Sequence, residues 1–320
     1  RVSCDHNFSV SCTLSYFRLD YYYYLLLQRY ITLMVITFKV IKRNRISKII
    51  FILIKNHFFI FRNNPTTGYV LKNGDVASLS GSNFSKNKLT KIIFHGWNND
   101  GNSDVNIKIR DAFLAFSDVN VICVDWGSGA NGLYGTAVNN VPLVSTWAAN
   151  FVDWLVRQGA YATSFHIMGH SLGGHIAGQT ARKVTSGITS YLTAFDPAGP
   201  SWGPGTDRIR ASDSYYTEVI HTDAGLLGLK EPVGHNDFYP NGGSNMPGCL
   251  IEVGCSHGRS YEYFAASLDN TFFQANQCAN VDEATNNQCS NISKSYMGGA
   301  SINKGIFHLT TSSSPPYYLN

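Results

Sequence analysis

The chain has 320 residues, 44% of them hydrophobic and 13% aromatic, enough for a large buried core and far from the composition of a disordered protein. A formal net charge of +4 suggests an anionic partner only until the charge is located: residues 1–60 hold nine Lys and Arg against two Asp, leaving sixteen against nineteen for residues 61–320. The body is mildly acidic, which argues against nucleic acid as a partner.

The first 60 residues also lack Gly, Ala, Pro, Glu and Trp, although the chain contains 29 Gly. Composition changes near residue 57. Because the favoured residues are those of A/T-rich codons and the chain opens on Arg1, residues 1–56 are expected to be an atypical segment outside the fold, translated non-coding sequence or a misjoined exon, with the natural start missing. An anchor is the rival reading of the apolar stretch Tyr21–Ile41, but Gln28, Arg29 and Lys39 interrupt it. Its longest uncharged run, Tyr30–Phe38, falls well short of the roughly 20 residues that a spanning helix needs. No signal peptide with a small-residue cleavage site is visible.

From residue 88 onward, apolar runs of strand length alternate with amphipathic runs of helical length, the pattern of an α/β domain over residues 57–320 with a mostly parallel sheet and helices on both faces. "KIIFHGW" (91–97) reads as a strand, "VNIKIRDAFLAF" (105–116) as a helix and "NVICVDWGSG" (120–129) as a strand. "LVSTWAANFVDWLVRQG" (143–159) reads as a helix, "SFHIMG" (164–169) as a strand and "LGGHIAGQTARKV" (172–184) as a helix. The strands "SYLTAFDPAG" (190–199) and "SYYTEVIHTD" (214–223) follow, then a long Gly-rich connection and a helix near "SYEYFAASL" (260–268). After the polar tail ending at Asn320, no further domain is expected.

Of seven cysteines, Cys123 lies inside an apolar strand and reads as a buried free thiol. Cys249, Cys255, Cys278 and Cys289 lie in Gly- and Asn-rich stretches, as disulfides of exported proteins do; the expected pairs are Cys249 with Cys255 and Cys278 with Cys289. Sequons at Asn83 and Asn291 are glycosylation candidates in the same extracellular context. No C-x-x-C pair and no His cluster at metal spacing occurs, so no metal, redox chemistry or cofactor is expected.

The sequence "MGHSLGGH" (168–175) sets Ser171 between Gly169 and Gly173 at a strand-to-helix junction. A serine hydroxyl needs a base to take its proton and donors to hold an oxyanion, and G-x-S-x-G is the sharp turn that lifts such a serine above a sheet. In α/β-hydrolases an acid and then a histidine follow the serine in the chain. Asp196, closing "YLTAF" before Pro197, is the favoured acid, with Asp223 the competitor. His257, beside Cys255 in "CSHGRS", is the favoured base because a disulfide would restrain the loop carrying it. His221 and His235 read as structural hydrogen-bonding residues, and His170 and His175 as orienting or packing residues. The oxyanion donors are expected to be the backbone N–H groups of Leu172 and of Trp97 in "FHGW", with His95 buttressing that loop.

Together, "IIFHGW", "VDWGSGA", "GHSLGGHIAG", "AFDPAGP", "VIHTDAG", "VGHNDFYPNGG" and "CSHGRSYEYF" resemble the pancreatic lipase family, particularly its insect members and the related wasp-venom phospholipases A1, over about residues 57–320. The resemblance implies an α/β-hydrolase fold, a triad of Ser171, Asp196 and His257, an oxyanion hole of Trp97 and Leu172, and a secreted enzyme working on lipid at an aggregate or membrane surface. It also makes Cys249–Cys255 the disulfide that closes the family's lid. Only five residues, Leu250 to Gly254, lie between those cysteines, and the connection "AGLLGLKEP" (224–232) is also short, which in this family points to phospholipase A1 or a generalist lipase, with a triacylglycerol lipase lacking phospholipase activity as the alternative. The C-terminal β-sandwich of the digestive enzymes is missing from the pattern, so no colipase-type partner is expected. A non-catalytic lipid carrier or yolk-type protein on the same fold is the second reading; such proteins lose the serine, and Ser171 is present. Oligomeric state is not legible in the sequence.

Overall fold

The computed structural model describes residues 58–249, 252–269, 273–289, 293–299 and 303–319. The segment 1–56, its apolar stretch and the sequon Asn291 lie outside them.

In chain order the elements are β1 (Phe58–Phe61), β2 (Tyr69–Leu71), α1 (Val76–Ser80), β3 (Thr90–Phe94), α2 (Asp104–Phe116), β4 (Asn120–Val124), α3 (Gly127–Ala130) and α4 (Tyr134–Arg157). Then come β5 (Phe165–His170), α5 (Leu172–Lys183), β6 (Tyr191–Phe195), β7 (Tyr216–Ile220), β8 (Asn236–Pro240), α6 (Cys255–Ser267), β9 (Gln274–Cys278), α7 (Val281–Thr285), β10 (Lys294–Tyr296) and β11 (Gly305–Leu309). They build one sheet in the order β10-β9-β11-β8-β7-β6-β5-β3-β4-β1-β2. The strands from β11 through β4 pair in parallel, while β1, β2, β9 and β10 join antiparallel at the two edges.

The central strands read as continuous apolar runs because both faces are covered. On one face Ile93, Met168, Phe195, Ile220 and Phe238 pack with Val105, Ile109 and Phe113 of α2 and with Tyr263 and Phe264 of α6 in one core cluster. Their neighbours in the strands, Ile92, Ile167, Leu192 and Val219, are equally buried and point to the opposite face by the two-residue period of a strand. Helix α5 packs there against β3, β5, β6 and α4.

Three departures from the sequence reading have physical causes. Helix α4 begins at Tyr134 and carries Pro142 inside it, where the reading began at Leu143. The buried stripe Ala137, Val141, Val144, Ala148, Phe151 and Leu155 runs through the proline, and packing along that stripe outweighs the lost N–H. The Gly-rich connection after residue 223 contains β8, whose polar "NDFYP" is wholly buried between β7 and β11. Strands β1 and β2 lie where the composition changes. Phe58 of β1 stacks on Phe151 and Trp147 of α4 at centroid distances of 3.5 and 3.9 Å, which ties that edge to the core.

Among the described residues no helix is long and apolar enough to cross a membrane. The structure pairs Cys249 with Cys255 and Cys278 with Cys289. Cys123 is a buried free thiol, pushed up to about 12 by burial, so it stays protonated and inert. Asn83 is exposed in the turn after α1.

Candidate active site

Parallel strands end together, and the loops leaving the C-terminal ends of β3, β5 and β6 meet at one place. Ser171 stands between β5 and α5 with φ 57° and ψ −123°, a backbone conformation that a residue with a side chain adopts at a cost of about 1–3 kcal/mol. The flanking glycines make that turn sterically feasible. A Cβ on Gly169 would clash with the carbonyl of Gly173 and lie 2.8 Å from Gly174 N, and one on Gly173 would collide with the carbonyls of Phe94 and His95, the latter at 2.6 Å. A Cβ on Gly174 would stand 3.1 Å from Pro197 Cβ and 3.3 Å from Ala194 Cβ, so α5 lies close on β6 and on the proline that follows Asp196.

Asp196 follows β6, fully buried, with φ 42°. Its Oδ1 accepts from the backbone N–H groups of Thr222 and Asp223 at 2.9 and 3.1 Å. Its Oδ2 faces Nδ1 of His257 at 2.5 Å. The carboxylate fits because residue 228 is glycine: a Cβ there would stand 2.6 Å from both Asp196 Cγ and Oδ2. Neither the two amide donors nor Gly228 is legible from spacing, since each contact forms only when the loop after β7 folds back beside β6.

His257 lies in the first turn of α6, two residues after Cys255, and not on a loop as the sequence suggested. Restraint comes from the helix, from the Cys249–Cys255 bridge at its first residue, and from Ser256 Oγ, which accepts Met246 N–H at 3.1 Å. The carbonyl of His257 accepts from His170 Nε2 at 3.1 Å and from Ser260 Oγ at 2.8 Å. His170 is therefore an orienting residue, its ring 4.3 Å from that of His257. Burial, and then the neighbouring His257, hold its imidazole well below the usual histidine range, so it adds no charge. With Nδ1 of His257 committed to Asp196, Nε2 is the ring nitrogen left to exchange a proton.

Asp223, the competing acid, also belongs to this cluster: its carboxyl, that of Asp196 and the His257 ring offer atoms all within 4.8 Å of one another. Burial and the charge of Asp196 push the Asp223 carboxyl up. The direct bond to His257 is made by Asp196. These three side chains are the one group of metal-ligating type among the described residues, and both oxygens of Asp196 are already engaged by N–H donors.

The loop after β3 passes close to the serine, for a Cβ on Gly96 would lie 2.9 Å from Ser171 Cβ. His95 fixes that loop. It accepts Trp126 N–H at Nε2 (3.0 Å) and donates from Nδ1 to Gly96 O (2.9 Å), while its own carbonyl takes Trp126 Nε1–H (2.8 Å). Trp97 follows, its indole N–H on Gly132 O at 2.9 Å. Leu172 opens α5, where first-turn N–H groups lack an intrahelical acceptor. His175, His221 and His235 serve the framework. His175 bonds Ala198 O (2.8 Å) and is pushed down to about 3 by burial; His235 accepts Thr217 N–H (3.0 Å); and His221 lies between Leu229 O and Asp237 Oδ1.

Comparison with known proteins places this geometry in context. The model of the family described as Lipase matches residues 37–320, reaching back past the composition boundary. A pancreatic triacylglycerol lipase of Myocastor coypus is 34% identical over 264 residues, 74% of this chain and 58% of its own length. Pancreatic lipase-related protein 2 of Cavia porcellus is 33% identical over 248 residues, 74% and 57% of the two chains. An inactive pancreatic lipase-related protein 1 of Mus musculus is 34% identical over 263 residues, 74% and 56%. The matches thus span a little over half the length of these relatives.

Proposed function

The chain belongs to the lipase family, that of the pancreatic lipases, and from that premise we propose that it is a secreted serine hydrolase that cleaves carboxylic esters of lipids at an aggregate surface. Ser171 Oγ attacks the acyl carbonyl while His257 Nε2 takes its proton. Asp196 holds the ring through Nδ1 and stabilises the imidazolium, and the N–H groups of Trp97 and Leu172 receive the oxyanion. The imidazolium then protonates the departing alcohol oxygen, leaving an acyl ester on Ser171. Water, deprotonated by the same imidazole, attacks that ester and releases the fatty acid.

The observation that carries this reading is Ser171 on its strained turn at the end of β5, with the Asp196–His257 pair at the end of neighbouring β6 and the His257 ring 4.3 Å from that of His170, the residue before the serine. It weighs against a non-catalytic carrier even though one relative is named inactive, because a protein that only binds lipid gains nothing from a strained serine turn or from an imidazole held by a buried carboxylate.

We assign the preference to phospholipid, as a phospholipase A1 or generalist lipase, from the two short loops. The Cys249–Cys255 bridge spans a sequence separation of six, and the stretch after β7 is pinned by backbone contacts of Gly228 with Ala198 and Ala224. Neither is long enough to cover a lipid-sized cleft, so a polar headgroup can enter. Leu226 and Val253, on those loops, are 67% and 85% exposed, suited to contact with an apolar surface.

The test is product analysis on mixed phosphatidylcholine and triacylglycerol emulsions, with Ser171→Ala in parallel. Release of 2-acyl lysophospholipid, abolished in the variant, is expected. Diacylglycerol as the sole product overturns the phospholipid assignment, and no serine-dependent product overturns the hydrolase reading itself.

A further inference from the structure

A second polar cavity lies at the other end of the sheet. About 200 Å³ of open space is lined by Lys91, His166, Tyr191, Thr193, Tyr216 and Glu218 of β3, β5, β6 and β7, roofed by Phe113 of α2, Phe264 of α6 and Leu268 just beyond it, and edged by Gly298 and Gly299. The pairing register sets Lys91, His166, Tyr191 and Tyr216 side by side in one row, with Thr193 and Glu218 in the next row on the same face. His166 is five residues before Ser171, about 17 Å along an extended strand, so the cavity is separate from the hydrolytic site and owes nothing to that assignment.

Its charged groups lack the partners that buried charges require. Glu218 is 2% exposed, yet among the described residues its carboxyl receives one forked N–H, from Gly298 at 3.3 Å to each oxygen. Lys91 Nζ lies 3.4 Å from His166 Nδ1 and 4.6 Å from the centroid of the Phe113 ring, and among the described residues no carboxylate pairs with it. His166 accepts from Lys91 at Nδ1 and donates its single N–H from Nε2 to Thr193 Oγ1 at 2.8 Å, so the ring is a neutral bridge and not a counter-charge. Among the described residues, then, one cavity holds an acid with no cationic partner at one end and an ammonium with no carboxylate partner at the other. Packing alone would be served better by apolar residues in both places.

The spacing indicates what fits between them. The Lys91 ammonium leans onto β5, and Glu218 is on β7, two strands across and one row along, about 12 Å at 4.7–4.9 Å per strand and about 6.7 Å per two residues. Two charge-assisted contacts of about 2.8 Å each leave about 6 Å between the ligand's ammonium nitrogen and its anionic oxygen, the reach of a spacer of three or four atoms. We propose that this cavity binds a small zwitterion, its ammonium on Glu218 between Tyr191 and Tyr216 and its phosphate or carboxylate on Lys91. The tyrosine faces add attraction for the cationic end.

Proton exchange gives the site a signature. Burial pushes Glu218 up to about 8 and Lys91 down to about 8. At pH 7 the empty cavity therefore holds Glu218 mostly protonated and Lys91 mostly charged. An incoming ammonium favours the carboxylate, so binding releases a proton. At pH 9 Glu218 is already ionised and Lys91 mostly neutral, so an incoming anion makes Lys91 take a proton up.

The experiment is calorimetry of the full chain with 2-aminoethyl phosphate, in buffers of different ionisation enthalpy at pH 7 and pH 9. Binding is expected, with net proton release at pH 7 and uptake at pH 9. Glu218→Gln and Lys91→Met are each expected to weaken it at least tenfold, and Glu218→Gln to abolish the release at pH 7, while both keep the cooperative melt of the unmodified chain as evidence of folding. A second arm uses phosphatidylethanolamine vesicles: vesicle binding competed by the soluble probe assigns the zwitterion to a lipid headgroup, and soluble binding without it assigns a free metabolite. No binding of the probe by the unmodified chain, or binding that neither substitution weakens, overturns the proposal.

Discussion

A methyl group at residue 228 would stand 2.6 Å from Asp196 Cγ, closer than real Cβ contacts allow, so the carboxylate that holds His257 would have to move. Gly228→Ala is accordingly expected to lower kcat on a soluble ester about 100-fold, the scale of a displacement of about 1 Å in a catalytic group, with a cooperative melt retained. Unchanged kcat would show that the loop yields and the carboxylate stays. At this scale the sequence is legible where contacts are local. Gly169, Ser171 and Gly173 form one turn, and Asp196 closes an apolar strand before a proline; both patterns lie within a few residues. Gly228, the amides of Thr222 and Asp223, and the bond from His170 to the His257 carbonyl depend on loops that meet only in three dimensions, and no spacing rule reports them.

Helices and strands divide along the same line. The apolar strands β3 to β7 and helices α2 and α5 are readable because hydrophobic period and burial agree in them. Strand β8 and the edge strands β9 and β10 are polar in sequence, and pairing with neighbours decides their form. Helix α6 was read from Ser260, five residues late, because "CSHGR" lacks an apolar period and its helicity is set by the bridge at Cys255 and the cap at Gly254. That bridge holds the turn carrying His257. Replacing Cys249 and Cys255 by serine is expected to cost about 2 kcal/mol of stability by the loop-entropy relation for so short a loop, and to lower kcat about tenfold at temperatures where the protein remains folded. Chemical denaturation and kinetics on the same preparation check both numbers; a loss of stability with unaltered kcat would mean that the helix positions the imidazole without the bridge.

Across the whole molecule, one continuous sheet carries two polar centres at its two ends: the serine centre where β5 and β6 finish, and the Lys91–Glu218 cavity where β3, β6 and β7 begin. The overall charge of +4 bears on neither, because the basic excess lies in residues 1–60 and the described body is acidic. The central claim is that Ser171 is a nucleophile activated by His257, and covalent titration tests it most directly. A long-chain alkyl phosphonate fluoride should label the chain to one equivalent, with the adduct in the tryptic peptide containing Ser171, and should leave Ser171→Ala unlabelled and His257→Ala labelled at least a thousandfold more slowly. Equal labelling of all three, or none of the unmodified chain, would contradict it.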